Sequence, residues 1–521
     1  MLKVISKYIS ALLRSFIHSS TDPSSHSSFE SSDYLADSSL IVRVIIGNGA
    51  AGLEAAKTLR KLDKACKIIM ISEESKLHWS RPALMYLFMD ELSFEGSCPY
   101  PENWFKNKRI ELVQATVISV DRSKQTLTLS NDQELEYQQL LVACGSVPKT
   151  LADIPIELEQ VSAFYHLKDC EKLKQQSLQA RKALIIGGGL IAVELAEILL
   201  HQGLSIELIT RDPWFAAHIL AREEAIFLSE YLKQKGVELY CSTQVQSYQE
   251  LTQELTLTTG QKLQTELILM AIGVEPAVKA IKGLDDLIQQ GLLVNQSLQS
   301  HDPFIFAAGD CAERIERTLD TSPKQMFTAI SGTWYEAKAM GKAAAYAMHK
   351  ASKEQQSFAH QETHQETHQE THQETHQETH QETHQDPSQL QTNAHIYHPQ
   401  THQWFNSAKF FDLEYQEYGL CLNSLNHEQF SEINSIFYLS SDLKQSIRLF
   451  YQNDALVGIC SLGLRLRQRV CQAWLHEKKT VSMVIADLGD LEFDPEFNSS
   501  ILKTQQVLKY LQNQYKSKIN T

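Results

Sequence analysis

No Cys-x-x-Cys pair occurs anywhere in this 521-residue chain. Its cysteines stand apart, at positions 66, 98, 144, 170, 241, 311, 421, 460 and 471. A dispersed, odd-numbered set excludes a disulfide framework and fits free thiols in a reducing compartment, most of them serving as small buried hydrophobes. There is also no run of 18 apolar residues, so no membrane-spanning helix is expected. Cations are in deficit, with 48 Lys+Arg against 63 Asp+Glu and a net charge of −15. That balance argues against a general affinity for nucleic acid, and no base-reading motif appears. A single core is excluded by length, and two to four domains are expected. The hydrophobic content of 43% and charged content of 21% are ordinary for a globular protein.

What is present is concentrated between Ile41 and Glu74. The apolar run Ile41, Val42, Val44, Ile45, Ile46 predicts a strand buried on both faces. Gly47-Asn48-Gly49-Ala50-Ala51-Gly52 follows, then the helix-forming Leu53 to Leu62, then a second strand, Ile68 to Ile71, ending at Glu73 and Glu74. In a dinucleotide fingerprint Gly47 permits the tight turn, Gly49 lets backbone approach a pyrophosphate, and Gly52 lets helix and strand pack closely. The helix N-terminus faces the phosphates, and an acid such as Glu73 bonds a ribose diol. Beyond it, Arg81 could reach the same pyrophosphate; it reads equally as an ordinary loop arginine.

Residues 110–142 alternate apolar and polar, which predicts a β-meander, and end in the buried strand before Ala143-Cys144-Gly145-Ser146. A second fingerprint starts at Ala183. Its strand leads to Gly187-Gly188-Gly189-Leu190-Ile191-Ala192, a helix from Val193 to Leu200, and a strand from Ser205 to Ile209. Where an acid would favour NAD stands Thr210, followed by Arg211. An arginine there accommodates a 2′-phosphate, which leans towards NADPH, although a surface arginine is an equal reading. Further on, Leu267–Ile272 runs into Gly273, and the strand Pro303–Ala307 delivers Gly309 and Asp310 at its carboxyl end. A helix is expected from about Ser331 to His349.

Two segments read as unstructured or peripheral. Met1 to Ser20 carries Lys3, Lys7 and Arg14 among apolar residues, like an organellar transit peptide or an interfacial helix, or else an extension with no role. His360 to Thr383 repeats His-Gln-Glu-Thr. Histidines four apart could form a metal-binding helical stripe, but a tract expanded within a tolerant linker explains them more simply. From Trp404 the pattern is globular again: strands at Ile436–Leu439, Ile447–Tyr451 and Leu456–Leu462, with an Asn453-Asp454 hairpin turn, then helices.

These motifs together resemble the FAD-dependent pyridine nucleotide-disulfide oxidoreductase superfamily, of glutathione-reductase-like fold, over about residues 40–350. The resemblance implies that FAD is held by the first and last motifs, with Gly47, Gly49, Ala50, Ala51, Gly52, Gly309 and Asp310, and Asp310 on the ribityl chain; Glu73, Arg81, Ala143 and Gly145 are further candidate cofactor contacts. It implies that the middle glycine motif, with Gly187, Gly189 and Ala192, holds NAD(P)H as substrate and that Glu194 lies near the nicotinamide; Arg211 and Gly273 are further candidate cofactor contacts. Disulfide reductases of the family carry Cys-x-x-x-x-Cys on the helix after the first acid. This chain has Ser80-Arg81-Pro82-Ala83-Leu84-Met85-Tyr86 there. It therefore looks like the branch without a redox disulfide: rubredoxin and ferredoxin reductases, apoptosis-inducing-factor-like proteins and the flavin part of nitrite reductases.

The expected class is α/β, with two Rossmann-like domains and a smaller α+β C-terminal domain. The expected boundaries are a 1–39 extension, an FAD domain at 40–153 and 272–350, an NAD(P)H domain at 154–271, a 351–400 linker and a 401–521 interface-like domain. The expected activity is electron transfer from NAD(P)H through FAD to an acceptor, with a rubredoxin or ferredoxin as a candidate partner. No side-chain acid, base, nucleophile or metal is required. A type II NADH dehydrogenase-like quinone reductase and a partner-binding flavoprotein remain open, as does a homodimer. The expected location is cytoplasmic, or organellar or peripheral to a membrane if the N-terminal segment acts as a signal.

Overall fold

A computed structural model describes residues 40–317, 326–330, 332–369, 405–425, 432–442, 444–492, 502 and 504–519. The N-terminal basic segment and all of the repeat beyond residue 369 lie outside the described residues. What is described falls into two compact units. One is drawn from Met1–Ser80, Glu95–Ser146 and Glu275–His398, the other from Arg81–Phe94, Val147–Val274 and Pro399–Thr521.

In the first unit, β1 (Val42–Ile46) leads through a glycine turn into α1 (Ala50–Leu62) and β2 (Lys67–Ser72). The strands β3 (Ile110–Gln114) and β4 (Gln139–Val142) follow. In the second unit, β5 (Lys182–Ile186), α2 (Leu190–His201) and β6 (Ser205–Ile209) repeat the arrangement. They are followed by α3 (Arg222–Gln234), β7 (Val237–Tyr240) and β8 (Leu267–Met270). The chain then returns to the first unit with β9 (Ile305–Ala307) and the long helix α4 (Trp334–Gln369).

The first sheet is parallel in the order β9-β4-β1-β2-β3. The second is parallel in the order β7-β6-β5-β8, closed by a short strand at Val161–Ser162. Strands buried on both faces need Val, Ile and Leu throughout, and Val44, Ile45, Ile185 and Leu208 are all fully buried. Each unit carries an antiparallel three-stranded meander, at Val117–Asp121, Thr126–Leu129 and Glu134–Glu136 in the first and at Val245–Gln249, Glu254–Leu257 and Lys262–Gln264 in the second.

One buried cation interrupts the apolar run of β1. Arg43 is fully buried and donates to Asp63 at 2.7 Å, to Gln139 Oε1 at 2.9 Å and to Ser352 Oγ at 2.9 Å. It ties together the end of α1, β4 and α4. Burial alone would push the Asp63 carboxyl up; the Arg43 bond and neighbouring backbone N–H groups outweigh it and hold the carboxyl at about 2. α4 is longer than expected from the sequence. It begins at Trp334 and runs past His349 into the first repeats, as a stretch rich in Ala, Lys, Glu and Gln allows.

The C-terminal part of the second unit is an antiparallel sheet. Its strands are β10 (Phe405–Phe410), β11 (Leu413–Gly419), β12 (Asn434–Leu439), β13 (Ser446–Gln452) and β14 (Ala455–Leu462), in the order β10-β11-β14-β13-β12. Asn453 and Asp454 both take positive φ in the β13–β14 turn, as its sequence predicts. This sheet meets the nucleotide-type fold of its own unit through charge. Arg448, buried on β13, reaches Glu224 at 2.7 Å and Glu223 at 2.6 Å on α3, and donates to Ser435 Oγ. The Phe411 N–H donates to Glu197 on α2 at 2.6 Å.

Candidate functional site

Two glycine turns, one in each unit, are built alike. Gly47 has φ +105° and Gly187 φ +139°, where only glycine is unstrained. A side chain would also be impossible for lack of space: a Cβ on Gly47 would land on the carbonyl oxygen of Ala143, and one on Gly187 on that of Ala271. Each turn is pinned to the next strand, Gly47 N–H to Ile71 O at 2.7 Å and Gly187 N–H to Ile209 O at 2.9 Å. Gly49 and Gly189 cap α1 and α2 with no side-chain cap, and neither helix has an acid in its first turn. A Cβ on Gly49 would meet nothing within 4 Å. Helix N-termini without a side-chain cap favour anions, so both turns fit a nucleotide pyrophosphate, the first with open space at Gly49.

The first unit gathers its other candidates around the same turn. Ala50 opens α1, and Ala51 is buried beneath it. Gly52 cannot carry a Cβ, which would strike the carbonyl of Gly47. The Asn48 amide donates to Ser75 O at 2.8 Å and His78 Nδ1 lies 2.6 Å from Asn48 O, bracing the turn from the loop after β2. Of the two acids there, Glu73 is exposed, whereas Glu74 accepts from the Trp79 indole at 3.2 Å. Ala143 N–H donates to Ile46 O, and Gly145 has φ +74° with open space around it. Asp310 Oδ2 accepts from Ser146 Oγ at 3.0 Å, and Gly309 abuts Ala51. The Cys311 thiol contacts Val142 O at 3.3 Å. Its bond to Cys144, together with burial, pushes the Cys144 thiol well up.

In the second unit Ala192 takes the place held by Gly52 in the first and is fully buried. Gly273 has φ +100° and open space around it. Thr210 is buried and its Oγ1 accepts from Asp212 N–H at 3.3 Å, while a Cβ on Gly188 would press on that same oxygen. The Arg211 side chain is 79% exposed, its Nε 3.8 Å from Asp212. Burial, and then the Glu197 charge, push the Glu194 carboxyl up to about 7. Arg81 falls in this unit, where its guanidinium lies 4.5 Å over the Tyr165 ring and donates to the Tyr165 carbonyl. Sequence reasoning missed Asp212 and His218 in the loop after β6. No periodicity marks them, since they meet only through the loop's turn. Among the described residues no helix is long and apolar enough to cross a membrane, and no cluster of three or more His, Cys, Asp or Glu is set to hold a metal.

Residues 43–333 match the pyridine nucleotide-disulphide oxidoreductase family, and the chain belongs to it. FAD with NAD(P)H is the cofactor pair of that family, and the two turns are where this chain would hold them. The chain is 28% identical over 274 residues to the assimilatory nitrate reductase electron transfer subunit of Bacillus subtilis, covering 52% of this chain and 36% of that one. It is 28% identical over 273 residues to the NADH-rubredoxin oxidoreductase of Clostridium acetobutylicum, covering 52% and 68%. Among solved structures, an engineered water-forming NADPH oxidase derived from the Lactobacillus brevis NADH oxidase superposes with a TM-score of 0.68 at 15% identity, covering 92% of this chain and all of that one.

Proposed function

We propose that this chain is an FAD-dependent NAD(P)H oxidoreductase that delivers electrons to a small redox protein of the rubredoxin or ferredoxin type, with no redox disulfide of its own. The carrying observation is the pair of like-built turns on two separate parallel sheets, with no cysteine in the segment Ser80–Tyr86. Bound at the first turn, FAD supplies the means to take two electrons from a nicotinamide and release them to an acceptor. Gly47, Gly49, Ala50, Ala51 and Gly52 would receive its pyrophosphate and Glu73 its ribose diol. Ala143, Gly145, Gly309 and Asp310 would line the remainder, and Ser146 would keep the Asp310 carboxylate oriented. The first unit is thus the FAD domain and the nucleotide-type fold of the second the NAD(P)H domain, with Gly187, Gly189, Ala192 and Gly273 around the nucleotide. Nine free thiols suit the cytoplasm.

The nucleotide we assign is NADPH. Thr210 cannot hold a ribose diol as a carboxylate would, and Arg211 is exposed enough to meet a 2′-phosphate. The Lactobacillus brevis variant bound to NADPH carries, among its substitutions, adjacent aspartate-to-alanine and alanine-to-arginine changes. It also carries a glycine-to-alanine change at the spacing that separates Ala192 from Thr210 here.

The test is to purify the full chain, identify the released flavin, and compare reduction of a rubredoxin and a ferredoxin by NADPH and NADH. FAD at about one per chain, and turnover that survives thiol alkylation, are expected. A flavin-free chain, or activity abolished by alkylation with loss of a reducible disulfide, overturns the reading.

A further inference from the structure

The helix α4 joins two dissimilar stretches of sequence. Its first half belongs to the core of the first unit: Met340, Ala344, Ala345 and Met348 are fully buried, and Ser352 Oγ accepts from Arg43 at 2.9 Å. From Lys353 to Gln355 the helix is exposed, and it continues without a break to Gln369. That continuation takes in the first copies of the His-Gln-Glu-Thr repeat, so His360, His364 and His368 all stand within the helix.

A repeat of four residues nearly matches the helical period of 3.6. Each step of four advances about 400° and rises about 6 Å, so successive histidines drift by only about 40°. The three therefore share one stripe, and neighbours in it have Cβ atoms about 5–6 Å apart. At that spacing two imidazoles can close on one ion, as in the His-Glu-x-x-His helices of zinc proteases. Glu362 and Glu366 fall on a stripe about 200° away, so the donor repeated along the histidine stripe is imidazole.

Why the helix extends this far follows from where it begins. Nucleating a helix is costly, whereas lengthening one costs little for each residue added. The buried half supplies the nucleus, and Gln and Glu in the repeat propagate it while His and Thr weaken it. An extension so balanced is stabilised by any ligand that binds its helical form alone.

We propose that His360, His364 and His368 form a binding site for a divalent transition-metal ion of the Zn²⁺, Ni²⁺ or Cu²⁺ class. The ion is held by neutral imidazole nitrogens four residues apart. His364 belongs to both available pairs, so this stretch takes one ion at a time. Two ligands from one chain make an open site, unlike the closed cluster of three or more that the described residues lack. Water completes the coordination sphere. The site is independent of the nucleotide turns and of what binds there.

The experiment compares three untagged chains: the full-length protein, the protein lacking residues 370–385, and that shortened protein carrying His364→Glu together with Glu366→His. The exchange keeps composition and charge but sets the histidines six and two residues apart. Binding is read by calorimetry with Ni²⁺, Zn²⁺, Mg²⁺ and Ca²⁺, and helix order by amide hydrogen exchange across residues 356–369. The shortened chain is expected to bind about one Ni²⁺ or Zn²⁺ more than the exchanged chain, or to bind it about tenfold more tightly. It should also ignore Mg²⁺ and Ca²⁺, and its amides should exchange more slowly once Ni²⁺ is bound. The full-length chain should bind at least as much. Metal held by the free thiols is common to all three chains and cancels. Equal binding by the shortened and exchanged chains overturns the proposal, because any histidine-rich segment would then suffice. Absence of Ni²⁺ and Zn²⁺ binding overturns it, as does a preference for Mg²⁺ or Ca²⁺, which would assign the ion to Glu362 and Glu366.

Discussion

The helices that follow the two glycine turns can be compared residue by residue, because the turns are superposable in sequence. Glu54 and Glu194 stand five residues beyond the second glycine of their turns, and Lys57 and Glu197 stand three residues further on. In the first helix the pair is an ion pair, with Lys57 Nζ 2.9 Å from Glu54. In the second it is two acids, Glu194 is pushed up to about 7, and Glu197 is also raised, by burial first and only partly relieved by the Phe411 N–H. The backbone of the turn is thus fixed by sterics common to both units, while the charge carried behind it is free to diverge. One helix is electrostatically satisfied, and the other holds a carboxyl that is half-protonated near neutral pH.

The strongest test of the shared part is Gly47→Ala set beside Gly187→Ala. Each adds a side chain at positive φ that collides with a carbonyl, so each should cost roughly 3 kcal/mol or more, read as a lowered denaturation midpoint. Gly49→Val separates folding from binding, since the space above Gly49 is open. Its circular dichroism should stay native while bound flavin falls more than tenfold; full FAD occupancy would contradict the cofactor assignment.

A smaller effect sharpens the part that diverges. Arg211→Ala should raise the NADPH KM by about tenfold, the worth of an exposed phosphate contact of about 1–2 kcal/mol, and leave NADH nearly unaffected. Added salt should narrow the wild-type preference in the same direction. If wild type prefers NADH by tenfold, Arg211 is a surface charge only.

The acid pair gives a pH signature. Glu194 binds its proton more tightly folded than unfolded, so its contribution to stability is complete below about 4.5 and is lost as pH rises through about 7. Glu194→Gln should therefore flatten the decline of the melting temperature across that window. An unaltered slope would mean that the carboxyl is ionised throughout. The mildest test makes the first helix imitate the second. Lys57→Glu replaces an attractive pair with a repulsive one three residues apart, and should lower stability by about 0.5–1 kcal/mol without loss of flavin.

Much of this architecture was legible because its determinants are local. Gly47, Gly49 and Gly52, and Gly187, Gly189 and Ala192, each sit within one turn between a buried strand and a helix, so spacing alone announces them. The Asn453-Asp454 hairpin was legible for the same reason. What escaped depends on distant partners. Arg43 interrupts an apolar strand, and nothing local in the sequence names Asp63, Gln139 and Ser352 as the groups that close around it. His218 is oriented by Asp212 and anchored by Asn423, a residue more than two hundred positions away, and no periodicity in the sequence encodes that meeting. Arg81 reads from sequence either as a pyrophosphate contact or as a loop arginine, and its partner Tyr165 lies too far along the chain for spacing to name it. The helix beginning at Trp334 outran its expected end because Gln and Glu in the repeat extend a helix as readily as they fill a linker.

Arg448 has a consequence for how far this molecule can be divided. Glu224 on α3 is 1% exposed, and the cation that satisfies it arrives from β13, more than two hundred residues later. Removing the cation alone, as in Arg448→Ala, would leave that carboxylate buried without its counter-charge, at a cost of about 3–5 kcal/mol. The terminal sheet is therefore not a detachable accessory. Heating should melt it together with the nucleotide-binding fold in one calorimetric transition, and a shortened chain should be recovered only as aggregate.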